Sequence, residues 1–214
     1  MEREYVTSRR ERLIAQAAHR IGITPGPDNT RVLRRSEIPN YLYRIGCPLL
    51  LEATPTLLTL PPGLRNTVDT AALSGRVDGA AGLFLTPSAA TYPTAVEYAA
   101  VIAAEFLRRR RPVAWHSVEE VFAAAPRRVV DSDDDLDHND LFADLTQVYE
   151  LVVVHGVMAF GHTDYEQRSL VKVLSERMTW GLTTVVISAP SFNTGTASPL
   201  ADYLLDNFMR YDEL

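Results

Sequence analysis

Residues 82–94 read Gly-Leu-Phe-Leu-Thr-Pro-Ser-Ala-Ala-Thr-Tyr-Pro-Thr, and a helix-forming stretch continues from Ala95 to Arg111. A short apolar strand that turns into a long helix constrains the fold more than any other feature of the chain. The helix must lie back across the sheet to which its strand belongs. Such a turn is also where an anion-binding loop sits, because the first amides of a helix have no intrahelical partner. The loop chemistry itself is missing. A backbone that wraps a phosphate needs glycines, and its charge needs a lysine. The corresponding positions are Pro87, Ala90, Tyr92 and Pro93, and only Thr94 keeps a hydroxyl in place.

From Ala81 onward the pattern alternates. Apolar runs at Gly82–Thr86, Pro112–Trp115, Leu151–Val154 and Thr183–Ser188 read as strands. Between and after them, Thr94–Arg111, Val118–Ala125, Asp140–Tyr149, Asp164–Trp180 and Pro199 to about Arg210 read as helices. That order predicts an α/β fold, a parallel sheet with helices on both faces. Ser117 with Glu120 has the spacing of a capping box, and Gly181 stands where a helix C-cap belongs.

Upstream, residues 2–21 carry apolar positions at mostly helical spacing until Gly22 and Pro25-Gly26-Pro27 stop them. Residues 1–35 therefore read as an arginine-rich helix and linker, and residues 36–214 as the domain proper. A short helix is expected at Glu37–Gly46. Pro48, Pro55, Pro61, Pro62 and Gly63 then predict an irregular crossing, with a helical turn at Asp69–Leu73.

Charge separates the two parts. The net charge of −6 splits into +4 over residues 1–35 and −10 over the remainder. Eight arginines, among them Arg9, Arg10 and Arg12, make the head a candidate contact arm for nucleic acid or an acidic protein face, although a solvated helix of mixed charge fits the same composition. Lys172 is the sole lysine, so no other lysine can serve a phosphate loop. The apolar runs are strand-length or broken by charge, which predicts no membrane span and, with Glu2, Arg3 and Glu4 at the start, no secretory signal. A single cysteine, Cys47, excludes an internal disulfide and fits a reducing, cytoplasmic setting.

Other chemistry finds little support. The acidic run Asp131–Asp140 lacks the ligand spacing, the central glycine and the terminal glutamate of a calcium loop, and reads as solvated. His116, His138, His155 and His162 do not form a zinc motif, so no metal and no cofactor is expected. There is no Gly-x-Ser-x-Gly nucleophile turn and no dinucleotide fingerprint.

Four elements in order carry a resemblance: the strand Gly82–Thr86 leading without a gap to Thr91 and Thr94, the strand Leu151–Val154, the helix Asp164–Trp180, and the strand Gly181–Ser188. Over residues 36–210 or so, with Arg44-Ile45-Gly46-Cys47-Pro48 ahead of the core, the chain resembles the AAA+ ATPases of the DnaC/IstB helicase-loader and transposition-helper type. The resemblance implies a P-loop sheet of AAA+/ASCE type. It also implies where the catalytic groups would stand, and each of those positions departs from the family's pattern. Pro87, Ala90, Tyr92 and Pro93 occupy the Walker A loop, His155 and Gly156 stand in place of the Walker B acids, and Ala189 replaces the sensor-1 asparagine. Pro199 and Tyr203 fall where the last helix would carry arginines toward a neighbour's nucleotide.

The implied function is a pseudo-ATPase that works by association and not by turnover. It would be an accessory or regulatory factor in DNA replication or helicase loading, from a phage or mobile element in a GC-rich host. The implied partner is an AAA+ loader or a replicative helicase, in a homo- or hetero-oligomer. Pro199, Tyr203 and Phe208 are the expected apolar edge of the interface. Two alternatives stay open: a structural or assembly protein using the fold as a scaffold, and an unorthodox nucleotide binder.

Overall fold

The computed structural model describes residues 15–17, 19–20, 22–23, 33–48, 56–124, 142–158, 162–192 and 198–212. Five strands form one sheet: β1 (Gly82–Leu85), β2 (Val113–Ser117), β3 (Leu151–Val157), β4 (Thr183–Ser188) and β5 (Met209–Tyr211). Their order is β2-β3-β4-β1-β5, and every pairing is parallel. The helices are α1 (Ile38–Arg44), α2 (Pro62–Ser74), α3 (Tyr92–Arg108), α4 (Val118–Ala124), α5 (Asp164–Thr179) and α6 (Pro199–Asn207). This is a three-layer α/β fold, a parallel sheet between two layers of helices.

Alternation along the strands divides the core into two apolar layers. Leu83, Leu85, Val113, Trp115, Leu151, Val153, Val185 and Ile187 face α1, α2 and α3. Phe84, Ala114, Val152, Val154 and Val186 face α4, α5 and α6. Both faces of the sheet are covered, so the central strands carry apolar residues on both faces, as buried parallel strands do. At Gly82 the backbones approach so closely that a β-carbon would lie 1.8 Å from the carbonyl oxygen of Thr184.

The helix expected from Pro199 to about Arg210 is shorter. It ends at Asn207, and Met209–Tyr211 is a strand beside β1. The reason is backbone satisfaction: all four residues of β1 are buried, and their polar groups on the side away from β4 need a partner. The irregular crossing at Pro61, Pro62 and Gly63 is likewise the start of the 13-residue α2, with Pro62 in its first turn, where a proline's missing amide costs nothing. Arg65 ties that entry down, with Nε 3.1 Å from the Leu57 carbonyl and Nη2 3.0 Å from that of Leu60. The stretch expected as the helix Asp140–Tyr149 contains a π-helical turn at Asp144–Val148.

The arginines at the end of α3 are absorbed by the scaffold. Arg109 bridges Glu105 and Asp69, both at 2.6 Å, and Arg111 pairs with Glu150 and reaches the Ala72 carbonyl at 2.8 Å. The described part of the head also packs on the domain. Ala17 and Ile23 are each 1% exposed, Ile23 lies in the layer with α1 and α3, and Arg20 pairs with the buried Asp144. The sequence division at residue 35 is therefore crossed by contacts. Arg9, Arg10 and Arg12, and the acidic run 131–140, lie outside the described residues. Among the described residues no helix is long and apolar enough to cross a membrane.

Candidate functional site

In a parallel sheet covered by helices, the crevice for ligands opens beyond the C-terminal ends of the strands, where the strand order reverses. Here β1 lies between β4 and β5, and the segment 86–91 leaves it to start α3. This loop is closed on itself. The Ser88 amide donates to Thr91 Oγ1 at 2.9 Å, the Thr91 amide reaches the Ser88 carbonyl at 3.2 Å, and the two hydroxyls are 3.0 Å apart. The Thr86 amide is taken by the Tyr211 carbonyl of β5 at 3.1 Å. Three amides that an anion would need are thus already bonded inside the protein.

Pro87 is buried, whereas Ala90 and Pro93 are exposed and Tyr92 and Thr94 half-buried. Thr91 is the N-cap of α3, and Pro93 falls in the first turn, removing one more amide. Position 92 carries a phenol where a phosphate loop requires a bare backbone. Burial raises the pKa of Tyr92, and the nearby Glu119 carboxylate raises it further.

His155 stands at the end of β3, opposite Ile187 of β4 and Ser117 of β2, with its ring centroid 6.3 Å from that of Trp115. Gly156, at φ +80°, takes the positive angle that a bulge between His155 and Val157 imposes. Burial lowers the pKa of His155. Glu119 and Glu120 oppose that shift in part, and His116 adds to it. His116 is also lowered by burial, against the pull of Glu120, whose carboxylate lies 3.4 Å from its Nδ1. Glu120 further accepts the Ser117 amide at 2.8 Å, the capping box expected from the sequence. Burial thus favours the neutral form of both imidazoles, and the carboxylate side chains that act on this end of the sheet are Glu119 on Tyr92 and Glu119 and Glu120 on His155.

Ser188 ends β4, and the Ala189 amide donates to the Val157 carbonyl at 2.7 Å. Among the described residues Ser188 Oγ and Trp115 Nε1 are buried without a hydrogen-bond partner, and no group of three His, Cys, Asp or Glu side chains could hold a metal. The structure therefore brings Pro87, Ala90, Tyr92, Pro93 and Thr94 to the same end of the sheet as His155, Gly156 and Ala189. Glu119 and the Ser88–Thr91 closure were not singled out from the sequence, and Glu120 was read there only as a capping residue. The Ser-x-x-Thr spacing ahead of the helix was the signal for the closure, while the glutamates reach the site only through the parallel pairing of β2 with β3.

The expected apolar edge needs correction at Phe208. It is 6% exposed and belongs to the core layer under α6, because the chain turns inward there from helix to strand. Pro199 is exposed and Tyr203 half-buried, with its hydroxyl 4.0 Å from the Met178 sulfur. Met178 and Leu205 are the exposed apolar side chains of α5 and α6 beside it, at 46% and 37%.

No protein-family model and no curated protein sequence matches the chain. Solved structures do. DnaA from Aquifex aeolicus bound to AMPPCP is similar at TM-score 0.56 and 14% identity, covering 77% of this chain and 51% of that one. DnaI is similar at TM-score 0.53 and 15% identity, covering 70% and 82%, and a DNA replication initiation factor at TM-score 0.52 and 13% identity, covering 74% and 49%. The chain thus spans about half the length of two of these structures. At such identities the likeness is one of fold.

Proposed function

We propose that this chain is a pseudo-ATPase of AAA+ type, an accessory or regulatory factor in replication initiation or helicase loading that acts by protein association. The observation that carries the reading is the closed loop between β1 and α3. Its amides at Ser88 and Thr91 bond within the loop, the Thr86 amide bonds to β5, and Tyr92 and Pro93 open the helix where a phosphate would lie. One surviving hydroxyl, Thr94, neither holds magnesium nor orients a phosphate alone. One of the three fold neighbours is described as a DNA replication initiation factor, which supports the cellular setting. The near absence of lysine fits a GC-rich source such as a phage or mobile element of a GC-rich host.

Calorimetric titration with magnesium-ATP or magnesium-ADP is expected to give no heat of binding. A micromolar Kd that is lost on Thr94→Ala overturns the non-catalytic reading. For the partner, affinity capture is expected to retrieve a replicative helicase or an intact AAA+ loader. Recovery of neither, with copies of this chain alone, overturns the replication assignment in favour of a scaffold.

A further inference from the structure

We infer that the outer edge of β5 is a self-complementary dimerisation edge, through which two copies of this chain join antiparallel across a two-fold axis at Tyr211. Strand β5 is the end strand of the sheet. Its register against β1 is Leu83 with Met209, Phe84 with Arg210 and Leu85 with Tyr211. The bond from the Thr86 amide to the Tyr211 carbonyl sets the phase of that ladder. In a parallel strand each residue turns both backbone groups to the same side, and successive residues alternate. Met209 and Tyr211 therefore spend theirs on β1, while the N–H and C=O of Arg210 point away from the sheet.

An open edge pairs with whatever strand matches it. The charges on this one select the match. Arg210 and Asp212 are both exposed and lie on one face of the strand, their side chains 3.1 Å apart in an ion pair. Only even shifts bring outward-facing backbone groups together in an antiparallel pair. Pairing Arg210 with Arg210, or Asp212 with Asp212, sets like charges opposite each other, which destabilises a sheet. The register between them places Arg210 opposite Asp212 of the second copy, twice, by symmetry. Two such opposed pairs exchange four backbone hydrogen bonds. Tyr211 then meets its own counterpart as a non-hydrogen-bonded pair, the closer of the two spacings in an antiparallel ladder. Met209, 40% exposed, flanks the seam. Charge complementarity at a fixed register thus commits the edge to a second copy of this chain.

The test is the oligomeric state of the full chain, by sedimentation equilibrium from about 1 to 100 μM, a range that spans weak association, with circular dichroism to verify folding. A concentration-dependent dimer is expected. Arg210→Asp sets carboxylates opposite one another and should weaken the dimer by about tenfold or more, whereas Arg210→Asp with Asp212→Arg restores the complement and should recover most of the affinity. Arg210→Pro removes only the outward amide, which leaves the β1 pairing intact and should also abolish the dimer. Hydrogen exchange adds a positional readout: the Arg210 amide should become protected on dimerisation, while those of Met209 and Tyr211 are protected at every concentration. A monomer throughout, a dimer indifferent to Arg210→Asp and Arg210→Pro, or an Arg210 amide unchanged by dimerisation overturns the inference.

Discussion

Arg177 donates its Nε–H to the hydroxyl of Thr184 at 2.9 Å, at a point where neither side chain touches solvent. The rest of the guanidinium is spent on carbonyl oxygens: those of Leu145 and Thr183, the latter at 2.6 Å, and that of Tyr149 at 3.0 Å. None of these partners is a carboxylate. Burial pulls its pKa down to about 9, and the carbonyl dipoles around it favour the charged form, so it is cationic at neutral pH. This one side chain joins α5, the start of β4 and the π-helical turn before β3. Arg177→Met removes four hydrogen bonds of a buried guanidinium at once and is expected to cost about 3 kcal/mol or more, read by urea denaturation. Arg177→Lys, which cannot span the same fork, should fall between the two.

Gly82 tests the sheet itself. A β-carbon there would meet the Thr184 carbonyl oxygen at 1.8 Å, and backbone paired into a parallel ladder cannot move aside without breaking it. Gly82→Ala is expected to lower stability by about 3 kcal/mol or more, beyond the usual cost of overpacking. A folded variant with an unchanged denaturation midpoint would contradict the register of β1 against β4.

Deletion of residues 1–26 is expected to lower the melting temperature. The truncation removes Ile23 from the core and takes the guanidinium of Arg20 away from Asp144, which is 4% exposed. Loss of the buried Ile23 side chain alone removes about 2–3 kcal/mol. For a chain of this size that is a shift of about 5–10 °C. An unchanged melting temperature in calorimetry would show that the head is dispensable to the fold.

Acidification should weaken the domain through its two strand-end histidines. Burial holds His116 and His155 below their ordinary pKa, so in the window just under the unfolded value of about 6.5 the unfolded chain binds more protons than the folded one. Their contribution to stability is full above that value and declines as the pH falls toward the folded pKa. The double variant His116→Gln, His155→Gln should flatten the dependence between pH 7 and 5, measured by denaturation at each pH.

The apolar surface of α5 and α6 is the expected contact with the partner protein. Tyr203→Ser together with Met178→Ser removes an aromatic anchor and its exposed neighbour while leaving Phe208 in the core. The variant should remain folded by circular dichroism and lose partner capture by about tenfold or more, as hot-spot truncation does. Full capture by the folded variant would place the contact elsewhere.

Much of the framework was legible because local chemistry and tertiary structure agree there. The strand at Gly82–Leu85, the long helix behind it, the capping box at Ser117 and the helix starts at Asp164 and Pro199 all follow from residues close in sequence. Thr163 with Glu166 and Ser198 with the Ala201 amide complete caps within four residues. The lack of glycine and lysine between Thr86 and Thr94, with Pro87, Tyr92 and Pro93 there, was legible for the same reason, since it is a matter of which amides and side chains exist at all.

Tertiary structure decided what the segments do once they meet. Met209–Tyr211 continues a helix by sequence pattern and becomes a strand because β1 presents buried backbone groups that only a neighbouring strand can satisfy. Phe208 looks like a surface aromatic in sequence and is buried because the turn from α6 into β5 carries it inward. Glu119 bears on Tyr92, and Glu119 with Glu120 on His155, only because β2 pairs with β3 and delivers α4 to that end of the sheet. The sequence by itself determined the alternation of strands and helices and the chemistry missing from the loop, because both depend on neighbours in the chain. The fifth strand, the closed loop's bond to Tyr211 and the carboxylate field depend on contacts between residues tens of positions apart or more, and the cost and reward of those contacts exist only in the folded chain.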